Sequence, residues 1–403
     1  MLNVISVKDA LELIKNKSEL ESIQVKLNDS LGYYLSEDII AKENVPDFNR
    51  SLVDGYCVKS KDVFGASLSI PAILKYQGSI NMGESFNEPL KDGCCIYIPT
   101  GAKLAEGSDS IVMIEYVEDI SDGFRYISKP SAPGDHITYR ADDIKQNEVI
   151  ICKGTKITSK IIGVLSALGY DLVNVFKKLK VGIIATGDEL VETSSKLTEA
   201  KIRDINNPLL ASLISEANCD VNIYGIVKDN EDKIKEAISS LKDNCDIVLI
   251  SGGSSVGEKD KTLEILNSFK NSKTYFHGLA LKPGKPTMFT RIDNCDIFGL
   301  PGHPLACYFV FQTLIYPYIL DRYKTKSAKV KVAAYSKVSI GSNHGREELL
   351  IVKTEKIGDK YYFSPLPSKS GMISKLAKGD AYLRIPRDKE GINENELVEI
   401  TLI

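Results

Sequence analysis

Between residues 250 and 304 the chain carries three glycine-rich turns, and two of them stand directly behind short apolar runs. Asp246-Ile247-Val248-Leu249-Ile250 empties into Ser251-Gly252-Gly253-Ser254-Ser255-Val256-Gly257-Glu258-Lys259-Asp260. Asp296-Ile297-Phe298 empties into Gly299-Leu300-Pro301-Gly302-His303-Pro304, and Lys282-Pro283-Gly284-Lys285-Pro286 lies between the two. A strand that ends in glycines lets backbone N–H groups approach a ligand that a Cβ would hold away. A helix starting at such a point adds partial positive charge. Two lysines on a proline-stiffened turn bring full charge to the same rim. The combination suits a phosphorylated or otherwise anionic ligand.

The residues around these turns predict an α/β region. Val181-Gly182-Ile183-Ile184-Ala185 reads as a buried strand ending at Thr186-Gly187-Asp188-Glu189-Leu190. Asn207-Pro208 has the form of a helix start, with Leu209, Leu210, Leu213 and Ile214 inward. Val221 to Val227 is a strand, and Asp229 is placed to cap a helix whose face is Ile234, Ala237, Ile238 and Leu241. Strands alternating with helices in this way imply a mostly parallel sheet with right-handed crossovers. Ligands on such sheets bind at the carboxyl ends of the strands, which would gather the 186–189, 251–260 and 299–304 turns on one edge.

Both flanks look different. Ser6, with Asp9 three residues on, would cap an opening helix with Ala10, Leu11, Leu13 and Ile14 inward. From about Val45 to Ser128 short β-rich runs alternate with Gly, Asp and Ser turns, and from Ser327 the pattern is β again. A chain of 403 residues is too long for one ordinary core. The expected fold is therefore α/β plus β: a central three-layer α/β domain (179–326), a β-rich insert (45–139), a small C-terminal β domain (327–403), and a discontinuous remainder (1–44 and 140–178).

Bulk properties exclude several classes. A net charge of −3, with lysines interleaved among acids, gives no general attraction to nucleic acid. No apolar run approaches membrane-spanning length, and the start lacks the basic and apolar stretches of a secretory signal. Eight cysteines without a C-x-x-C pair, most inside apolar segments, read as reduced thiols of a cytoplasmic protein. The chain lacks Walker, dinucleotide, G-x-S-x-G and H-E-x-x-H motifs, and nothing in it reads as a covalent nucleophile.

Asp54, Asp143, Glu189 and Asp260 each have an ordinary reading as turn or cap residues. As a set they would hold a divalent cation, since Mg²⁺ is usually bound by one or two carboxylates plus substrate phosphate. Lys282 and Lys285 are favoured as ligand contacts because their turn is stiffened on both sides. His303 reads equally well as a ligand contact and as a structural turn residue.

Taken in order, these motifs resemble the MoeA family of molybdopterin molybdenumtransferases, which includes the E domain of gephyrin. The resemblance rests on Ser51-Leu52-Val53-Asp54-Gly55-Tyr56, Pro99-Thr100-Gly101-Ala102, Glu106-Gly107-Ser108-Asp109 and Asp142-Asp143-Ile144. Thr186-Gly187-Asp188-Glu189-Leu190 and the three glycine turns complete it. The departures are small: His303 and Ala306 stand where many members have Asn and Ser.

What the resemblance implies is Mg²⁺-dependent hydrolysis of adenylylated molybdopterin, with release of AMP and insertion of molybdate at the dithiolene. It also implies an elongated four-domain homodimer, supplied with substrate by a molybdopterin adenylyltransferase. Asp54, Thr100 and Asp143 would act from the insert of one subunit. Glu189, Asp229, Asp260, Lys282, Lys285, Pro301 and Ser370 would act from the other, with Glu189 and Asp260 at the metal. Gly252, Gly253, Ser254 and Ser255 would bind the phosphate or pterin end, and Gly302 and His303 would line the substrate. Two alternatives are a molybdopterin adenylyltransferase, which needs neither the insert nor the C-terminal β domain, and a non-catalytic gephyrin-like scaffold.

Overall fold

The computed structural model describes residues 4–15, 18–252, 261–326, 329–366 and 373–403. The chain divides into two compact units, one of residues 1–23, 32–36 and 175–403, the other of residues 24–31 and 37–174.

The first unit is built on a six-stranded sheet. Its order is Asp220–Val227, Lys180–Thr186, Ile247–Ser251, Cys295–Leu300, Met288–Ile292 and Ser272–His277. The first four strands are parallel, and the last two join antiparallel. The parallel part is the one expected from the strand–helix rhythm. The antiparallel pair is an addition, because Thr274, Thr290 and Arg291 interrupt the apolar run that would announce a strand. In register, Ala185 faces Ser251 and Ser251 faces Leu300, so the three strands stop on a common edge.

The helices show what local sequence fixes and what it leaves open. Ser6 caps Val7–Ile14, its Oγ accepting from Asp9 N at 3.1 Å. Val7, Ala10 and Ile14 are buried, whereas Leu13, expected inward, is 47% exposed. The helix expected to start at Asn207 spans Asn206–Glu216. Asp204 supplies the cap, its Oδ1 accepting from Asn206 N at 3.0 Å and Asn207 N at 3.2 Å. Glu231–Lys242 is capped by Asn230, whose side chain accepts from Lys233 N at 3.1 Å, and not by Asp229. Asn and Asp cap about equally well, so adjacent candidates are separated only by the path of the incoming chain. The apolar face of that helix is as expected: Ile234, Ala237, Ile238 and Leu241 are all buried. Full burial of each large side chain contributes about 1.5–3 kcal/mol.

A second sheet in this unit closes on itself. Glu347–Ile357, Lys360–Pro365, Lys331–Ser336, Leu397–Leu402 and Ala381–Ile385 pair in that order, and the last pairs back with the first. Closure removes free edges. The two residues Leu281–Lys282 add to Glu347–Ile357 in parallel, Lys282 opposite Glu348. Leu349, Ile351 and Tyr382 share one apolar cluster with Phe289, Phe298 and Phe309, so both sheets rest on a common core.

The second unit carries a mixed six-stranded sheet. Its order is Ser110–Met113, Gly55–Val58, Cys94–Ile98, Ala72–Ser79, Phe124–Ile127 and Val117–Glu118. One face packs Cys57, Ile96, Ile98 and Ile111, the other Tyr56, Val58, Leu74 and Ile127. A helix, Ser159–Ala167, follows the sheet in the chain.

Candidate functional site

The carboxyl edge of the central sheet is shaped by Gly252. Its φ is +103°, and a Cβ there would lie 2.2 Å from the Thr186 carbonyl oxygen. Only glycine lets the strand exit pass so close to its neighbour. The Gly302 carbonyl accepts from Asn206 Nδ2 at 2.9 Å, which ties the helix start at 206 to the 299–304 turn. At this edge Thr186 Oγ1, Ser251 Oγ, Asn206 Oδ1 and Asn207 Oδ1 are buried without a hydrogen-bond partner among the described residues. An unsatisfied buried polar atom costs about 1–3 kcal/mol, so four at one edge mark a surface prepared for a polar ligand.

A cavity of about 380 Å³ lies in the same unit, lined by Lys282, Lys285, Pro301, His303, Arg346 and Glu348, with Lys375 beside them. The volume falls within the range of small-molecule sites. Gly284, at φ +133°, packs so that a Cβ would lie 2.9 Å from both Leu281 Cδ2 and Val310 Cγ2. That packing fixes the lysine turn on the core. Lys282 Nζ meets Glu348 Oε1 at 2.8 Å, and the carboxylate also accepts from Ser342 Oγ at 2.7 Å. Four cationic side chains, Lys282, Lys285, Arg346 and Lys375, therefore face a single carboxylate, and the cavity is electropositive.

The acids are placed differently. Glu189 is exposed and folds back over the preceding turn, where a Cβ on Gly187 would lie 2.7 Å from its Oε2. Asp229 Oδ2 accepts from Asp188 N at 3.4 Å and so stands beside the same turn. In the other unit Asp54 Oδ1 accepts from Thr100 N at 2.8 Å, bringing those two residues together. Asp143 sits exposed on a separate turn, anchored through its backbone to Val45 at 3.1 Å. Gly253, Ser254, Ser255, Asp260 and Ser370 lie outside the described residues.

Among the described residues no group of three or more His, Cys, Asp or Glu could hold a metal ion. Of the two acids expected at a cation, Glu189 is an oxygen donor of the kind Mg²⁺ takes, standing by the same turn as Asp229, and Asp260 lies outside the described residues. Mg²⁺ needs few protein ligands and completes its shell with water and phosphate. Seven of the eight cysteines are buried, and only Cys152 is exposed. Burial pushes the Cys95 and Cys219 thiols up to about 12, which leaves them inert as nucleophiles.

Sequence reasoning missed Asp204, Asn206, Arg346, Glu348 and Lys375. The run Asp204-Ile205-Asn206-Asn207-Pro208 carried a usable signal, because a polar cluster before a helix seldom lacks a hydrogen-bonding task. Arg346, Glu348 and Lys375 carried none.

Three family models cover most of the chain. The MoeA N-terminal region (domain I and II) matches residues 5–169, the "Probable molybdopterin binding domain" residues 182–321, and the MoeA C-terminal region (domain IV) residues 333–403. The molybdopterin molybdenumtransferase of Staphylococcus epidermidis is 30% identical over 404 residues, spanning 99% of this chain and 95% of its own. That of Staphylococcus aureus is 34% identical over 316 residues, 78% of this chain and 75% of its own. Two crystal structures of the molybdopterin biosynthesis MoeA protein from Pyrococcus horikoshii superpose with TM-scores of 0.85 and 0.86, at 33% and 30% identity. They cover 99% and 100% of this chain, and the same shares of their own. Among the described residues no helix is long and apolar enough to cross a membrane.

Proposed function

The chain belongs to the MoeA family and is a transferase of molybdenum cofactor biosynthesis, and from that premise we propose how its residues carry the reaction. Adenylylated molybdopterin binds along the carboxyl edge of the central sheet. Thr186 Oγ1, Ser251 Oγ, Asn206 Oδ1 and Asn207 Oδ1, without hydrogen-bond partners among the described residues, receive its polar groups, and the Gly252 turn lets its backbone come close. The single observation that supports this most is the cation-lined cavity at Lys282, Lys285 and Arg346. Molybdate is a tetrahedral dianion, and a partly enclosed site with several positive side chains and one carboxylate is what would concentrate it beside the dithiolene.

Lys282 is held by Glu348 in a fixed direction, so it meets the anion without first losing conformational freedom. Lys285, more exposed, neutralises charge at the rim. Pro301, Gly302 and His303 form the wall facing the lysine turn. Glu189 and Asp260 would hold Mg²⁺, which when bound would supply positive charge to the phosphoanhydride. Asp54, with Thr100 and Asp143, orients the attacking oxygen. We assign these three residues to the other subunit of a homodimer and the four sequence domains to each chain, with an adenylyltransferase supplying the substrate.

The test is AMP release from adenylylated molybdopterin with Mg²⁺, with and without molybdate, and with tungstate in parallel. Molybdate-dependent release is expected. Tight substrate binding without release would overturn the catalytic assignment. Mixing the Asp54→Asn and Lys282→Met variants, each slowed alone, should give more activity than either variant by itself if the acids act across a dimer. Absence of restoration would place both sets in one subunit.

A further inference from the structure

Lys375 differs from the other cations of the cavity. It lies on the short helix Ser374–Lys378, and only 7% of its surface is exposed. Among the described residues its ammonium has neither a carboxylate within ion-pair distance nor a hydrogen-bond acceptor, whereas Lys282 has Glu348 at 2.8 Å. Lysine is rarely buried unless paired, because burying a charge is costly without compensation. That burial holds the Lys375 ammonium below the usual lysine range. Packing alone does not call for an amine here, since Leu376 supplies the apolar contact of this helix with the core. A lysine without an ion-pair partner in an electropositive cavity adds to the crowding of cations until an anion arrives. The missing partner is then supplied by the ligand.

We propose that Lys375 is an anion-binding residue of this cavity, its ammonium meeting a tetrahedral dianion together with Lys285 and Arg346. The inference rests on the functional reading above and adds a residue to it. The dianion has two sources of the same chemistry, the free metal oxyanion and the terminal phosphate left on the pterin once AMP has departed. Titration calorimetry of the full chain with molybdate alone, and separately with inorganic phosphate, distinguishes them. The wild type, Lys375→Met, which keeps the stem and removes the charge, and Lys375→Arg, which restores it, are compared.

Lys375→Met should weaken at least one anion about tenfold, the effect of one charge-assisted hydrogen bond. Lys375→Arg should recover most of the loss. The thermal midpoint of Lys375→Met should be unchanged or higher, because the ammonium makes no ion pair within the fold that the substitution would break, and this separates lost binding from lost folding. A deficit for molybdate only assigns the residue to the metal oxyanion, and one for phosphate only assigns it to the substrate phosphate. Equal affinity of wild type and Lys375→Met for both anions would overturn the inference while leaving the functional reading standing. Wild-type protein that binds neither anion would overturn both.

Discussion

In the unit containing residues 175–403 the candidate site is set into packed structure. Gly252 passes within contact of Thr186, Gly284 is wedged between Leu281 and Val310, and Lys282 is paired with the buried Glu348. In the unit containing residues 37–174, Asp54 and Asp143 stand exposed on turns, and the Asp54 carboxylate accepts from the Thr100 backbone amide. The contrast bears on how each set can change. Residues wedged into a core couple function to stability, because their surroundings cannot relax. Exposed acids on turns can be altered with little structural consequence, so their effect should be read in activity alone.

The sharpest way to break that comparison is with glycines. Gly252→Ala would put a Cβ into the Thr186 carbonyl at positive φ, and a loss of about 3–4 kcal/mol is expected in denaturant unfolding. Gly101→Ala, beside Thr100 at φ +83°, meets only Met82 Cε at 3.8 Å. It should cost about 1–2 kcal/mol, the strain of the left-handed backbone alone. Equal costs would remove the distinction.

Next in size is Lys282→Met, expected to slow turnover about 100-fold, or ~2.7 kcal/mol of transition-state stabilisation. It should also lower stability by about 1–3 kcal/mol, because Glu348 is left buried with Ser342 as its remaining partner. Asp54→Asn keeps an acceptor for Thr100 N. Turnover should fall about tenfold while stability stays within about 0.5 kcal/mol. A matching loss of stability would show that the exposed acid is structural.

The smallest effect is expected at Lys329. Its Nζ donates to Gln312 Oε1 and lies 5.3 Å and 5.6 Å from the ring centroids of Tyr316 and Tyr382. Burial lowers its pKa from 10.5 to about 8. Between those two values the unfolded chain retains a proton that the folded chain has released, so stability from this group rises with pH. Lys329→Met removes a destabilising charge, and its advantage over wild type, about 1 kcal/mol at pH 7, should shrink from pH 8 towards pH 10.5. A difference that does not vary with pH would mean the group is not desolvated.

Much of the fold and part of the site were legible in the chain. The exits at Thr186, Ser251 and Leu300 could be read because an apolar run followed by glycine is a local signal. Ile234, Ala237, Ile238 and Leu241 were read from helical spacing alone. The helix start expected at Asn207 lies one residue earlier with Asp204 as its cap, and Asn230 caps the next helix in place of Asp229, since neighbouring polar residues compete on nearly equal terms. The pairing of Lys282 with Glu348 was invisible, because it depends on a short parallel pairing between distant segments.

The sequence by itself determined the strand–glycine–helix order, the lysine turn and the acids that place this chain in its family. These are short-range facts, settled by backbone permissiveness, periodicity and charge within a few residues. Only the tertiary structure decided that Glu348 neutralises one lysine, that Thr186 Oγ1, Ser251 Oγ, Asn206 Oδ1 and Asn207 Oδ1 are buried without hydrogen-bond partners among the described residues, and that Lys375 lines the cavity with no ion-pair partner among them. Those outcomes depend on which distant segments exclude water from one another, and solvent exclusion is a property of the packed chain.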